Sequence, residues 1–129
     1  MTATSQQQQA EHQAGIQRPQ NLHPTYHAHV YFDAKTTEQA RELCQQAATL
    51  FGVEMGRVHQ KLVGPHPHWS CQLTFDALQF DRLIPWLDQH RGGLNILVHP
   101  RTGNSRADHT THASWLGEPS PLNIVQFRS

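Results

Sequence analysis

The chain has 129 residues, of which 36% are hydrophobic and 8% aromatic, enough for one domain with a real core and too few for two. Ten basic and ten acidic residues cancel, which argues against electrostatic capture of nucleic acid or of an anionic membrane. No charged leader followed by an apolar stretch opens the sequence, and no apolar run approaches the ~20 residues of a membrane span, so a cytoplasmic protein is expected.

Residues 1–22 are rich in Gln and poor in large apolar side chains, so they read as a disordered tail ahead of a domain over 23–129. "YHAHVYF", Tyr26 to Phe32, alternates as a strand does, with Ala28, Val30 and Phe32 on one side and His27, His29 and Tyr31 on the other. "TTEQARELCQQAATLFG" then sets Ala40, Leu43, Cys44, Ala47, Leu50 and Phe51 at helical spacing. Thr36 and Gln39 form a candidate capping box, and Gly52 is the expected stop. Val53 to Val63 predicts a second strand with Val58 and Leu62 on one side. "GPHP", Gly64 to Pro67, has the punctuation of a turn.

"HWSCQLTF" alternates more cleanly, opposing Trp69, Cys71, Leu73 and Phe75 to His68, Ser70, Gln72 and Thr74. A second helix follows from an Asp76 cap, with Phe80, Leu83, Ile84 and Leu87 as its apolar stripe and Pro85 predicting a kink or a later start. "LNILVHP" closes the pattern, Leu94, Ile96 and Val98 against Asn95, Leu97 and His99. The order β-α-β-β-α-β predicts an α+β, ferredoxin-like unit in which helices cover one face of an antiparallel sheet. The other face needs a cover, either a second subunit or the C-terminal extension with Trp115, Leu116, Leu122, Ile124 and Val125.

Eleven histidines are the compositional signal. Imidazole is both a common metal ligand and the acid-base group that titrates nearest neutral pH. In the predicted topology the first and third strands are central with the fourth beside the first. His27, His29, the His66/His68 pair and His99 can then project from one face, although H-x-H on a strand also occurs as an exposed pair with no ligand. His12 falls in the expected tail and His23 at its border, and His59, His90 and His112 read as surface residues. Asp108, before His109, could orient an imidazole, add a carboxylate ligand or cap a helix. Cys44 and Cys71 lack metal-type spacing and read as small buried residues. No nucleophile elbow, P-loop or G-x-G-x-x-G is present.

Four pieces, "HAHVYF", "GPHPHWSCQLTF", "WLDQHRGGLNILVHPRTG" and "DHTTHASWLGEPSPL", together resemble the DOPA 4,5-dioxygenase-like proteins from about Tyr26 to Phe127. The resemblance implies a homodimeric α/β barrel in which the open sheet faces of two subunits meet. It also implies extradiol cleavage of a catechol such as DOPA by non-haem Fe(II) and O2, with Zn(II) an alternative occupant of purified protein. The family's histidine motifs fall on His29, His66, His99 and His109, while His27 and His68 are additional. On that basis His29, His66 and His99 are the expected metal ligands, and His27 and His109 the expected acid-base groups. Arg101 and Trp69 are nearby candidates for substrate contact. The usual facial triad of non-haem iron includes a carboxylate, and the inferred histidine face has none unless Asp108 supplies it. The competing reading is a non-catalytic dimeric barrel that binds an aromatic ligand or a metal.

Overall fold

The computed structural model describes residues 15–125 and 127. Eight elements follow one another: β1 (Thr25–Phe32), α1 (Thr37–Phe51), β2 (Glu54–His59), β3 (Trp69–Asp76), α2 (Ala77–His90), β4 (Ile96–Pro100), α3 (Ser105–Asp108) and β5 (Ser114–Leu116). The five strands form one antiparallel sheet in the order β2-β3-β1-β4-β5, so the fold is mixed α+β with the first and third strands adjacent. Among the described residues no helix is long and apolar enough to cross a membrane.

Strand parity sets the two faces. Ala28 lies opposite Leu73 on one side and Val98 on the other, and all three are buried in the main core with Val30, Cys71 and Ile96. Helices α1 and α2 close this face with Ala40, Leu43, Cys44 and Ala47 from the first, and Phe80, Leu83, Ile84 and Leu87 from the second. Cys44 and Cys71 are free thiols inside that core. The alternate residues, His27, His29 and Tyr31 on β1, Leu97 and His99 on β4, and Trp115 on β5, take the opposite face. There Tyr31, Leu97 and Trp115 form a second apolar cluster, against which Ile16, Ala113 and Leu122 pack.

Several local expectations change. Thr36 precedes α1 but makes no side-chain cap; its hydroxyl bonds Asp33, and Gln39 reaches the carbonyl oxygens of Arg91 and Gly92 instead. Gly52 does end the helix, in the left-handed region at φ 69°, where the missing Cβ removes the steric cost. The true capping box is on α2, where Asp76 accepts from Gln79 N–H and the Gln79 side chain accepts from Asp76 N–H. Helix α2 runs through Pro85. Strand β2 stops at His59, with a register irregularity between Met55 and Val58 that accounts for its poor alternation. Leu62 therefore lies beyond the strand and is exposed.

The β5 strand emerges from the C-terminal extension. Leu116 turns into the main core and Trp115 into the opposite cluster, while Val125 remains exposed. The sequence boundary at residue 22 also falls differently. Trp115 N–H donates to the Gln17 carbonyl, the Gln17 side chain donates to the Thr111 and Ala113 carbonyls, and Arg18 donates to those of Trp115 and Gly117. Residues 17 and 18 thus lie along β5, and His23 packs edge-on against His112. Residues 1–14 of the expected tail, including His12, lie outside the described residues.

Candidate metal centre

His27 and His99 are direct cross-strand partners, and His29 follows His27 by two positions, so pleat geometry places all three side chains on one face at the seam of β1 and β4. One ring nitrogen from each lies within 4.8 Å of the other two. The Nε2 atoms of His29 and His99 are 3.0 Å apart. Two nitrogens each about 2.1 Å from one ion and at right angles to each other would stand about 3.0 Å apart, so this spacing suits adjacent ligands of a single transition metal.

The tautomers bear on that fit. His99 Nδ1 lies 2.7 Å from the Pro100 carbonyl oxygen, which can only accept, so Nδ1 carries the proton and Nε2 carries the lone pair. His109 is held in the same way, Nδ1 donating to the Ser105 carbonyl at 2.7 Å. Its ring lies 4.2 Å from that of His99 and stacks on Phe127.

His66 arrives from the loop after β2, since β3 begins only at Trp69. Its ring lies over His29 at 4.1 Å between centroids, and its Nδ1 is 2.7 Å from the Tyr31 hydroxyl. Two of the three expected ligands, His29 and His99, therefore belong to the close group; its third member is His27, and His66 stands beside it. His68 lies outside the group, its Nε2 3.1 Å from the Ser120 hydroxyl. His90 is exposed on α2, bonded to the Trp86 carbonyl.

Burial governs the electrostatics. His29 and His99 are only 5% and 4% exposed. Desolvation of the charged form is the main reason that His29 titrates well below the usual imidazole range, reinforced by repulsion from the His66, His99 and His27 imidazoles. His99 is pushed down to about 3, chiefly by burial and against the opposing bond to the Pro100 carbonyl. His27 falls to about 4 through burial and then the Arg101 guanidinium, and His66 to about 4 through burial and then His109. At neutral pH these four imidazoles are uncharged, the form that can bind a metal.

Asp108 does not cap a helix; its hydrogen bonds go to Thr102, and it lines the same cavity as His27, His99 and His109, its charge opposing the lowering of the first two. It is the last residue of α3, whose cap is Asn104, and its two carboxylate oxygens accept from Thr102 N–H at 2.9 Å and Thr102 Oγ1 at 2.7 Å. Those bonds fix the loop leading to His109, and the close metal-ligating group among the described residues is all histidine. Trp69 turns to the main core rather than to this face. Arg101 lines a cavity of about 490 Å³ with Thr25, His27, His99, Asp108 and His109, giving the centre an entrance with a cation at its rim.

Residues 26–126 match the model of the Dopa 4,5-dioxygenase family. The chain belongs to the DOPA 4,5-dioxygenase family. It is 32% identical over 111 residues to DOPA 4,5-dioxygenase of Amanita muscaria, a match covering 79% of this chain and 49% of that protein. It is 35% identical over 111 residues to an uncharacterized 21.2 kDa protein of Botryotinia fuckeliana, covering 77% of this chain and 61% of the relative. The chain thus spans about half to three-fifths of the length of these curated relatives. A solved structure from Nostoc punctiforme, provisionally assigned as a dioxygenase, aligns with a TM-score of 0.76 and 44% identity over 78% of this chain and 88% of the other. Family membership and the three-histidine group together are consistent with a metal-dependent dioxygenase.

Proposed function

We propose that the protein is a non-haem Fe(II)-dependent extradiol dioxygenase that opens the ring of DOPA or a related substituted catechol with O2. The observation that carries this reading is the buried His27, His29 and His99 group, with its 3.0 Å nitrogen pair, in a chain of this family. These three residues would hold the metal, a reallocation that exchanges His66 for His27 in the set expected from sequence. Bound Fe(II) would supply Lewis acidity toward the catechol oxygens and the redox capacity that reaction with O2 requires.

The other roles belong to the chain. His109 holds its Nε2 lone pair beside His99 and lines the cavity, which suits it to accept a phenolic proton. Arg101 at the cavity rim suits an anionic substituent on the incoming aromatic. The apolar cluster of Tyr31, Leu97 and Trp115 covers the adjoining part of the face and limits access of water to it.

The same proposal takes the β-α-β-β-α-β core as ferredoxin-like and the active form as a homodimeric barrel. Helices cover only one face of the sheet, which supports that view. A cytoplasmic setting is part of it, in keeping with two free core thiols. Anaerobic loading with Fe(II), followed by L-DOPA and air, is expected to give oxygen uptake and a coloured ring-opened product. No oxygen uptake with L-DOPA or any of several other catechols, in protein shown to contain iron, would defeat the proposal.

A further inference from the structure

His66 and Tyr31 meet in a buried hydrogen bond of 2.7 Å that can be formed in two ways. A neutral imidazole has one N–H and one lone pair, while a phenol has one proton to give and lone pairs to offer. If His66 Nδ1 carried the proton, Tyr31 would accept, and its own O–H would be left inside the protein with no acceptor among the described residues. If Tyr31 donates, that proton is used and the imidazole proton moves to Nε2. His66 Nε2 makes no hydrogen bond among the described residues, yet none of their buried polar side-chain atoms lacks a partner, so Nε2 reaches accessible space. The second arrangement strands no hydroxyl proton and places the spare N–H where a ligand or water can accept it.

Both partners are fixed from behind. Tyr31 N–H donates to the Asn95 carbonyl, and its ring packs with Leu97 and Trp115. His66 N–H donates to the Val63 carbonyl, and Asn123 N–H ties the same loop down through the Pro65 carbonyl at 2.8 Å. The contact therefore joins two anchored groups rather than two mobile ones.

We propose that Tyr31 is a positioning residue that donates to Nδ1 of His66 and holds this ring as its Nε2–H tautomer, so that His66 offers the centre a hydrogen-bond donor. His99 and His109, whose Nδ1–H groups are taken by carbonyl oxygens, offer lone pairs instead. Of these three rings, His99 and His109 thus offer lone pairs to a metal or a proton and His66 offers a donor. This inference rests on the proposed dioxygenase reading for its ligand: the donor suits a catecholate oxygen, which carries negative charge once its proton has been removed.

The test begins with long-range proton–nitrogen correlation spectra of ¹⁵N-labelled, metal-free protein at neutral pH. The His66 ring is identified by the signals that disappear in His66→Gln, because the Tyr31 ring lies near both His66, at 5.5 Å between centroids, and His68, at 5.3 Å. A pyridine-type Nδ1 and a pyrrole-type Nε2 are expected at His66, the reverse at His99 and His109, and a mixture of both forms at His66 in Tyr31→Phe. A pyrrole-type Nδ1 at His66 in the wild type would overturn the inference. Equilibrium dialysis against Zn(II) supplies the second arm. His66→Gln is expected to keep the wild-type metal stoichiometry, and a loss as complete as that of His99→Ala would make His66 a ligand and overturn its role as donor. Wild-type protein that takes up no Zn(II) would defeat the proposed function but leave the measured tautomer standing.

Discussion

The two faces of the sheet use the same strands with opposite parity and spend burial differently. On the helix-covered face, Ala28, Leu73, Val98 and their neighbours are apolar and fully enclosed, so the driving force is removal of hydrocarbon from water. On the other face His29, His66 and His99 are almost as deeply buried, at 5%, 7% and 4% exposure. Burial there holds imidazoles neutral, and hydrogen bonds such as that from His99 Nδ1 to the Pro100 carbonyl set which nitrogen carries the proton. One face makes the fold stable, and the other uses that stability to keep polar groups where water would otherwise charge them.

The largest effect is expected on the histidine face. His99→Ala removes one nitrogen of the group and should abolish metal uptake, measured as bound metal per folded chain, and oxygen consumption with it. The matching change on the helix face is Leu73→Ala. It deletes a fully buried side chain and should cost about 2–5 kcal/mol in chemical denaturation while leaving metal stoichiometry per folded molecule unchanged. If Leu73→Ala lost metal while folded, or His99→Ala kept it, the division between the faces would fail.

In mild acid the protein should lose stability chiefly through the histidine face. His29 titrates well below an unperturbed imidazole at about 6.5, His27 and His66 are lowered to about 4 and His99 to about 3, so from about 6.5 down to those values the unfolded chain binds protons that the folded chain refuses. Stability of the metal-free protein should therefore be level just above neutrality and fall as pH drops through this window. Each such imidazole contributes up to about 1.4 kcal/mol per pH unit. Urea midpoints across the range measure it, and a flat profile from pH 7 to 5 would contradict the assigned shifts. Metal occupancy should fall in the same direction, because protons compete for the ligand nitrogens. A smaller effect, about 1 kcal/mol, is expected from Asp76→Ala, which removes the α2 cap without touching either face's chemistry. His90→Ala, on an exposed helix position, should change neither stability nor metal content measurably.

Much of this contrast was legible in sequence because strand parity is a local property. "YHAHVYF" places His27 and His29 on one side whatever the tertiary structure, and "ILVHP" does the same for His99. Topology then needs only the order of elements to bring β1 and β4 together. What parity could not show is anything delivered by loops. His66 sits before β3 rather than in it, so its place over His29 depends on the turn and on the Asn123 tie. Asp108 looked like a cap or a ligand because sequence proximity to His109 carries no direction; its carboxylate turns to Thr102. The three-residue β5 is too short for alternation to register, and the docking of Gln17 on it depends on backbone groups that carry no sequence signature. Tyr31 could be placed on the histidine face, but its bond to His66 required knowing where the loop returned.

The central claim is that His27, His29 and His99 form one metal centre on the face opposite the helices. Anomalous diffraction from crystals loaded anaerobically with Fe(II) tests it most directly. A single strong peak is expected among these three rings, within bonding distance of a nitrogen from each, and none at His90. A peak whose nearest nitrogens exclude His27, or a carboxylate of Asp108 turned away from Thr102 to reach the metal, would contradict it.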